Sequence, residues 1–373
     1  MAPIQVTVVI GSPAKDGRRV LDALLRTGDG QRAAAIVPDN DDWTQGVDSD
    51  SGIIPTTEEL LQLGAGCSCC TVRGDIRSKV HRLATQGAVD HILVQTEPSN
   101  DLSVLAKTFS IAGAAGSSIL HLARLERLLA VVDVPTAVAS LQSTTVRRLI
   151  ARIELANVLW LDRAAEVAPE QLATLIKVFE SINPGARIVR GGLDDVSVAD
   201  LTVSRPFDLD AAASRPALAG VRDGALKSGG GVSRLVYRKR QPFHPVRLRA
   251  FIDAGWPGLV RAHGRFWVAS RPGLFANLDV VGGSWQSSLG GMWWASVPVN
   301  RQPPSAEFRA YLKSIWHPAF GDRHQELAMV GVGVDEDALR AALDQCLLTE
   351  DELANSGEWS RMPHPFDWPE ALA

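Results

Sequence analysis

Short apolar runs alternate with amphipathic stretches along the first half of the chain. Ile4–Ile10 is rich in β-branched residues and predicts a buried strand, and the apolar positions of Arg18–Arg26 recur at helical spacing. The other predicted strands are Ala33–Val37, His91–Gln95, Leu128–Val132, Asn157–Leu161 and Arg187–Val189, and the other predicted helices are Asp75–Thr85, Arg147–Ala156 and Pro169–Ile182. This alternation predicts an α/β domain with a doubly wound parallel sheet.

The pattern changes near residue 205. Residues 215–231 are loosely patterned and end in Gly229-Gly-Gly231, which is typical of a linker. Beyond them, the predicted strands are Ser233–Arg238, Arg265–Ser270 and Met292–Val297, and the predicted helices are Pro245–Ala254, Ala306–Ile315 and Glu336–Leu347. We therefore predict a doubly wound α/β domain over 1–205, a linker over 206–232 and a smaller C-terminal α+β domain over 233–373.

The composition fits a globular protein of about two domains, at roughly 150 residues per domain. The 373 residues are 46% apolar and 21% charged, so the chain can bury an ordinary core. A net charge of −4 provides no basic field over the whole chain, and we expect no direct DNA binding. No apolar run approaches the roughly 18 residues of a membrane span, so we expect no membrane partner.

A local basic stretch stands out against this acidic background. It contains Arg234, Arg238, Lys239, Arg240, Arg247 and Arg249, interleaved with Tyr237 and Phe243. Such a stretch is usually a solvated sheet edge, and the alternative is a surface for a phosphate backbone or an acidic partner. Trp285, Trp293 and Trp294 lie in the same half of the chain, where they serve either as a recognition platform or as packing in a thin core.

Three of the four cysteines fall in the segment Gly66-Cys-Ser-Cys-Cys-Thr71. This spacing is no disulfide framework and predicts a reduced, cytoplasmic protein. Because thiolates suit Zn²⁺ or Cu(I), Cys67, Cys69 and Cys70 are candidate metal ligands that leave one coordination position open. The alternative is a set of buried or redox-active thiols without metal. Cys346 lies in an apolar helical pattern and is expected in the core.

Three histidines are secondary candidates for a metal site. His244 lies in Pro242-Phe-His-Pro245, a setting more typical of a corner between a strand and a helix than of a metal ligand. His317 and His324 form a second candidate pair, with the same preference for a structural role. These histidines become the places to look if the cysteines do not bind metal.

The segment after the first strand lies where a phosphate-binding loop would be. The nucleotide pattern is G-x-x-x-x-G-K-[ST], whereas this chain reads Gly11-Ser-Pro-Ala-Lys-Asp-Gly-Arg18. Asp16 stands at the second glycine, Gly17 at the lysine and Arg18 at the Mg²⁺-binding hydroxyl. Lys15 or Arg18 could reach a phosphate only from a shifted loop, so a simple turn between strand and helix is the favoured interpretation.

Seven segments match one known family in chain order. They are Val6–Leu25, Gly66–Ile76 with a GCxCC signature, Asn183–Val189, Gln241–Leu248, Gly264–Pro272, Phe320–Leu327 and Ala341–Leu348. In these segments the chain resembles the CobW-type GTPases, which are metallochaperones of the P-loop class. The resemblance implies a P-loop GTPase-like fold followed by the family's C-terminal domain.

Four nucleotide-binding elements of the family differ in this chain. Asp16-Gly-Arg18 replaces the GKT or GKS of the phosphate loop, Gln95-Thr-Glu-Pro98 replaces Glu-Thr-[ST]-Gly, and Pro38-Asp-Asn-Asp41 replaces Asn-Glu-Phe-Gly. Asp162-Arg-Ala-Ala165 replaces Asn-Lys-x-Asp, so a methyl group stands where the family has a guanine-binding carboxylate. Because phosphoryl transfer depends on positioning and charge compensation, these departures predict a degenerate nucleotide site.

The resemblance implies a role in zinc homeostasis, with zinc bound by Cys67, Cys69 and Cys70. The family's nucleotide is GTP, and the residues that would bind it here, in a degenerate phosphate loop, are Gly11, Lys15, Gly17 and Arg18. The C-terminal domain would dock a client metalloprotein or a regulatory protein. One degenerate branch of the family recruits a hibernation factor to the ribosome, so the ribosome or such a factor is an alternative partner. The remaining hypotheses are an active GTP-hydrolysing metallochaperone and a structural scaffold with inert thiols.

Overall fold

A computed structural model describes residues 3–11, 14–26, 32–38, 61–63, 76, 79–87, 89–96, 121–141, 143, 145–197, 199–201, 206–209, 212 and 231–368. The chain divides into two units, residues 1–139 with 148–215 and residues 140–147 with 216–373. Most of the predicted linker 206–232 lies outside the described residues. Among the described helices, none is long and apolar enough to cross a membrane.

The first unit is built on a parallel sheet of seven described strands. They are β1 (Ile4–Ile10), β2 (Ala33–Pro38), β3 (Leu61–Leu63), β4 (His91–Thr96), β5 (Ala123–Asp133), β6 (Val158–Asp162) and β7 (Arg187–Arg190). Their order is β3-β2-β4-β1-β5-β6-β7, with parallel pairing throughout. At the centre, Val8 pairs with Val94 and Leu128. The predicted doubly wound parallel sheet is confirmed.

Helices cover this sheet on both faces. The helices are α1 (Ala14–Arg26), α2 (Val134–Ser140), α3 (Val146–Leu155) and α4 (Pro169–Ile182), and residues 79–86 are also helical. Val8 packs in one apolar cluster with Val80 and Leu83, and its neighbour Val9 packs in another with Leu24. Because successive strand residues point to opposite faces, the two clusters are the two faces of one sheet. Strands buried on both faces explain why the sequence reads as short apolar runs.

The second unit contains an antiparallel sheet of five described strands. They are β8 (Val232–Lys239), β9 (Leu259–Phe266), β10 (Leu274–Val281), β11 (Ser284–Met292) and β12 (Gln325–Val332), in the order β11-β10-β9-β12-β8. The helices are α5 (Pro245–Ala254), α6 (Ala306–Ile315), α7 (Glu336–Gln345) and α8 (Glu350–Ala354). Leu248 of α5 and Leu343 of α7 share one apolar cluster with Leu327 of the sheet. The predicted α+β class is confirmed.

Several predicted elements of the second unit are wrong in type or extent. Arg265–Ser270 is not a strand over its length, because β9 ends at Phe266. Met292–Val297 is not a strand either, since β11 ends at Met292 and Trp294–Ser296 is a 3₁₀ helix. The hairpin β10–β11 and the strand β12 were not predicted. In the first unit, β5 begins at Ala123, before the predicted Leu128.

Candidate functional site

The carboxyl ends of the central strands meet at one edge of the parallel sheet. β1 ends at Ile10, β5 ends at Asp133, and β6 ends at Asp162 beside it, since Asp133 and Asp162 are register partners. In open α/β sheets, ligands bind outside the carboxyl ends of the strands, where the connections diverge to either face. The β1–α1 turn and the two aspartates therefore define the candidate nucleotide site.

The end of β1 and the start of α1 lie close together. Gly11 is buried directly after β1, and α1 already begins at Ala14. Gly17, in the second turn of the helix, lies so close to the strand end that a Cβ atom placed on it would be 2.9 Å from the backbone nitrogen of Gly11. A side chain at position 17 would therefore require the backbone to move.

The arginines of α1 form ion pairs with acidic side chains. Arg18 pairs with Asp22 one helical turn further on, with a nitrogen–oxygen distance of 3.0 Å. Arg19 pairs with Asp194 at 2.6 Å, and this pair is largely exposed. Lys15 is exposed at the start of the helix. Of the predicted phosphate-binding cations, Arg18 thus already neutralises a carboxylate of its own helix.

Carboxylates gather at this edge of the sheet. Asp16 of α1 is buried, and burial raises its pKa, with nearby Lys15 opposing the shift and Asp133 adding to it. Asp162 is also buried, and burial raises its pKa as well. Asp133 accepts hydrogen bonds from the backbone and hydroxyl of Thr136. Three aspartates therefore lie at the carboxyl edge, where a bound polyphosphate would add further negative charge.

The loop after β6 is held by one arginine. Arg163 adopts a left-handed backbone conformation with φ of 56°, and its guanidinium pairs with Asp133 at 2.8 Å and with Glu166 at 2.6 Å. Ala165 lies in the short 3₁₀ helix Ala164–Glu166 and is exposed. The position that corresponds to the family's guanine-binding carboxylate therefore carries an exposed methyl group.

Two family descriptions match this chain in succession. Residues 6–190 match "CobW/HypB/UreG, nucleotide-binding domain", and residues 232–347 match "Cobalamin synthesis protein cobW C-terminal domain". The two matched ranges cover most of the chain and correspond to the parallel sheet and the antiparallel sheet. The chain belongs to the CobW family.

This CobW-family chain is similar in sequence to several named proteins, over most of the length of each. The chain is 26% identical to "Zinc-regulated GTPase metalloprotein activator 1" of Dictyostelium discoideum, over 94% of this chain and 81% of the relative. It is 28% identical to a "Zinc chaperone" of Mycobacterium tuberculosis, over 85% of this chain and 82% of that protein. The solved Zn(II)-bound YjiA GTPase from E. coli is 14% identical, with a TM-score of 0.39 over 93% of this chain and 100% of that chain.

The predicted metal ligands Cys67, Cys69 and Cys70 of this CobW-family chain lie outside the described residues. The strand before them is described: β3 ends at Leu63 and pairs in parallel with β2, so its carboxyl end lies at the same edge of the sheet as the end of β1. Cys67 follows four positions after Leu63. Among the described residues, no group of three His, Cys, Asp or Glu side chains could hold a metal ion.

The three candidate histidines, which all lie in the C-terminal unit, have structural partners. His244 precedes α5, and its Nδ1 accepts a hydrogen bond from the backbone of Arg247 at 3.4 Å. His317 accepts from the backbone of Ala319 at 3.1 Å, and His324 lies 3.6 Å from a carboxylate oxygen of Glu326. His244 is therefore the helix-start corner that its neighbours predicted.

Cys346 and two of the three tryptophans singled out in the sequence have packing roles in the second unit. Cys346 is buried, burial raises its pKa to about 11, and its thiol donates to the carbonyl of Ala342. Trp293 is buried and donates to the carbonyl of Leu274, and Trp285 donates to Asp253 at 3.1 Å. These contacts confirm Cys346 as a core residue and favour packing over a recognition platform for these two tryptophans.

Asp133, which forms an ion pair with Arg163 at the candidate site, was not predicted as a site residue. The sequence contained a signal for this site residue, because Asp133 is polar and directly follows the predicted strand Leu128–Val132. In a parallel sheet such a residue projects at the edge where ligands bind.

Proposed function

We propose that this CobW-family chain binds zinc through Cys67, Cys69 and Cys70 and hands it on or senses it without a working GTPase site. The observation that carries the proposal is the donor set itself, three thiols within four positions in one segment. Thiolates are the ligands that zinc prefers, and three of them leave a fourth position for a water or for a group of the receiving protein. Relatives of this chain are named zinc chaperone and zinc-regulated activator.

Two features of the β1–α1 turn support a degenerate nucleotide site. The phosphate-binding lysine would have to replace Gly17, where a Cβ atom meets the backbone of Gly11 at 2.9 Å. The carboxylates of Asp16 and Asp162 would repel a triphosphate, and Arg18 offers no hydroxyl for Mg²⁺. We infer that the residues at this edge do not fit a Mg²⁺-bound GTP.

The position of β3 supports a zinc site near the same edge of the sheet. The chain leaves β3 at the carboxyl edge, only a few residues before Cys67. In the sheet order, β2 and β4 separate β3 from β1. The glycines around the cysteines predict a loop outside the apolar core, so we expect loss of the metal to leave the fold intact. The C-terminal unit would then serve to dock the client or regulatory partner.

Metal analysis of cysteine variants tests the zinc site. The full chain, purified under reducing conditions, is expected to carry about one Zn²⁺ with Zn–S distances of about 2.3 Å. The Cys67→Ser/Cys69→Ser variant should lose the zinc while the melting temperature of its apo form stays nearly unchanged. Cys346→Ala is the matched control, because it removes the one cysteine outside the cluster and should keep the zinc.

The pH dependence of binding is part of the same test. Thiolates bind zinc only when deprotonated, so zinc affinity should fall as the pH drops, and binding should release protons. Full zinc retention in the double variant would overturn the proposal and direct the search to His244, His317 and His324.

An active GTP-hydrolysing metallochaperone is the second candidate function. It is favoured by membership of the family and by the relative named a GTPase metalloprotein activator. Steady Mg²⁺-dependent GTP turnover that disappears in Lys15→Ala or Arg18→Ala would establish this function. Background turnover in the wild-type chain and in both variants would support the degenerate site.

A further inference from the structure

Helix α6 presents an apolar face that the second unit does not bury. Phe308, Tyr311, Leu312 and Ile315 recur at the spacing of one helical face. No residue of α6 is buried, Tyr311 is 57% exposed, and the following Trp316 is 46% exposed. Phe308 contacts the ring of Trp294 at 4.8 Å, so the face is covered at the start of the helix and open toward its end.

A groove lined by basic residues continues this apolar face. The groove has a volume of about 500 Å³ and is lined by Arg238, Lys239, Arg240, Ile315, His324, Gln325 and Glu326. Ile315 belongs both to the face of α6 and to the groove, so the two are contiguous. We call the exposed face of α6, Trp316 and this groove together the α6 surface.

The charge of the groove is positive. Arg240 donates to three main-chain carbonyls, those of Ile315, Gly321 and Arg323, and no carboxylate of the described residues pairs with it. Arg238 lies 3.5 Å from Glu326, and Lys239 lies 3.1 Å from Asp344.

Glu326, the acidic residue that lines the groove, is surrounded by basic side chains. A carboxylate oxygen of Glu326 lies 3.6 Å from the imidazole of His324, and Arg238 and Arg265 are nearby; together these groups lower the pKa of Glu326 to about 2. Because the whole chain carries a net charge of −4, this positive patch departs from the rest of the protein.

We propose that the α6 surface binds an acidic, amphipathic segment of a partner protein. Apolar side chains of the segment would pack on Tyr311, Leu312 and Trp316, while its carboxylates would face Arg238 and Arg240. Aromatic and arginine side chains dominate the binding energy of protein interfaces, and an amphipathic helix laid on an apolar face is a recurrent mode of recognition.

Nucleic acid fits the α6 surface less well than a protein segment does. A phosphate backbone would use the arginines but would leave the aliphatic side chains of Leu312 and Ile315 without apolar contact. Nonspecific binding to nucleic acid also draws its affinity from many phosphate contacts, and the groove has only three consecutive basic residues. The apolar component of the surface therefore favours a protein.

A designed peptide tests this inference with the full-length chain. The probe is a fluorescein-labelled peptide of about 16 residues with Leu at helical spacing and Glu elsewhere. The comparison ligands are a scrambled peptide of the same composition, a peptide with Lys for Glu, and a single-stranded RNA of similar length. Fluorescence anisotropy should show the acidic amphipathic peptide binding at least about tenfold more tightly than the others. Raising the salt from about 50 to 500 mM should weaken this binding, because the charges are exposed.

Exposed substitutions locate the binding on the α6 surface. Tyr311→Ser/Trp316→Ser should weaken peptide binding by about tenfold or more, and Arg238→Ala should weaken it by several-fold. The matched controls are Val246→Ser, which alters another exposed apolar residue, and Arg361→Ala, which removes an exposed arginine elsewhere in the unit. Both controls should bind within about twofold of the wild type, and thermal unfolding should show that all variants are folded.

Several results would overturn the inference. These are equal binding of the acidic and scrambled peptides, binding that ignores the Tyr311 and Trp316 changes, or tighter binding of the RNA. A dimer in sedimentation that the double variant converts to a monomer would assign the surface to a second copy of the chain instead. The inference rests on the proposed docking role of the C-terminal unit, and because the assay has no zinc readout, its failure leaves the zinc proposal standing.

Discussion

Gly17 links the shape of the candidate site to a single residue. Its lack of a side chain lets the second turn of α1 approach the end of β1, and the same lack removes the lysine that a phosphate loop requires. Both effects have one cause, because any side chain at position 17 would require helix and strand to move apart. Gly17 therefore accounts both for the close packing of helix and strand and for the departure from the phosphate-loop motif.

Substitution of Gly17 tests this close packing. Helix propensity alone would make Gly17→Ala more stable by about 1 kcal/mol. A Cβ atom 2.9 Å from the Gly11 nitrogen instead forces the backbone to shift, at a cost of about 1–3 kcal/mol. We expect Gly17→Ala and Gly17→Lys both to lower the free energy of unfolding in urea, and Gly17→Lys to gain no GTPase activity.

The control for this experiment is Lys15→Ala, because Lys15 is exposed on the same helix. It should leave the unfolding free energy within about 0.5 kcal/mol of the wild type. A Gly17→Lys variant that is as stable as the wild type and hydrolyses GTP would show that the turn opens readily, contrary to the structure.

At the scale of elements, the central strands β1 and β4 are joined by a buried polar pair. The ring Nε2 of His91 lies 2.9 Å from the hydroxyl of Thr7, and Arg127 of β5 lies nearby. Burial, helped by the charge of Arg127, lowers the pKa of His91 to about 4. The neutral imidazole is therefore a feature of the folded sheet.

This pair predicts a pH dependence of stability. In the unfolded chain the pKa of His91 returns to about 6.5, so the unfolded state binds the proton more readily. The His91 contribution is fully present above about pH 6.5 and is lost as the pH falls toward 4, by up to about 3 kcal/mol. His91→Gln should flatten this dependence of urea unfolding, whereas substitution of the exposed His81 should not. Equal slopes for His91→Gln and the wild type would contradict the assignment.

Most elements of the first unit could be predicted from sequence, because a parallel sheet buried on both faces produces uninterrupted apolar strands. The second unit depends more on contacts between distant residues. Residues after Met292 leave the sheet because the carboxylate of Asp322 accepts hydrogen bonds from the backbones of Trp294 and Ala295, both at 2.9 Å. No local pattern announces such a contact.

The missed hairpin, by contrast, had a local signal. Gly282 and Gly283 have φ of 55° and 81°, which is the left-handed conformation of a tight hairpin turn. A glycine pair between two candidate strands indicates a hairpin, but β11 reads Ser-Trp-Gln-Ser-Ser-Leu-Gly-Gly-Met and lacks the apolar alternation that would mark it as a strand. Polar residues on an edge strand thus concealed it.

At the scale of the whole molecule, the CobW-family fold is retained while the residues at its nucleotide motifs differ from the family pattern. The sequence identified the altered loop at Gly11–Arg18 and the missing carboxylate at Ala165, because both are departures within short, contiguous motifs. It did not reveal the three-aspartate environment, which arises only when strands far apart in sequence end side by side. We therefore propose that the chain binds zinc without control by a nucleotide.

The most direct test is the zinc affinity of the full chain, measured against a competing chelator with and without Mg²⁺ and GTP. If the nucleotide site is degenerate, GTP should change the zinc affinity by less than about twofold, because a ligand that does not bind cannot be coupled to one that does. A shift of about tenfold or more, which corresponds to about 1.4 kcal/mol of coupling, would show that GTP binds and controls the zinc site, and would contradict the account.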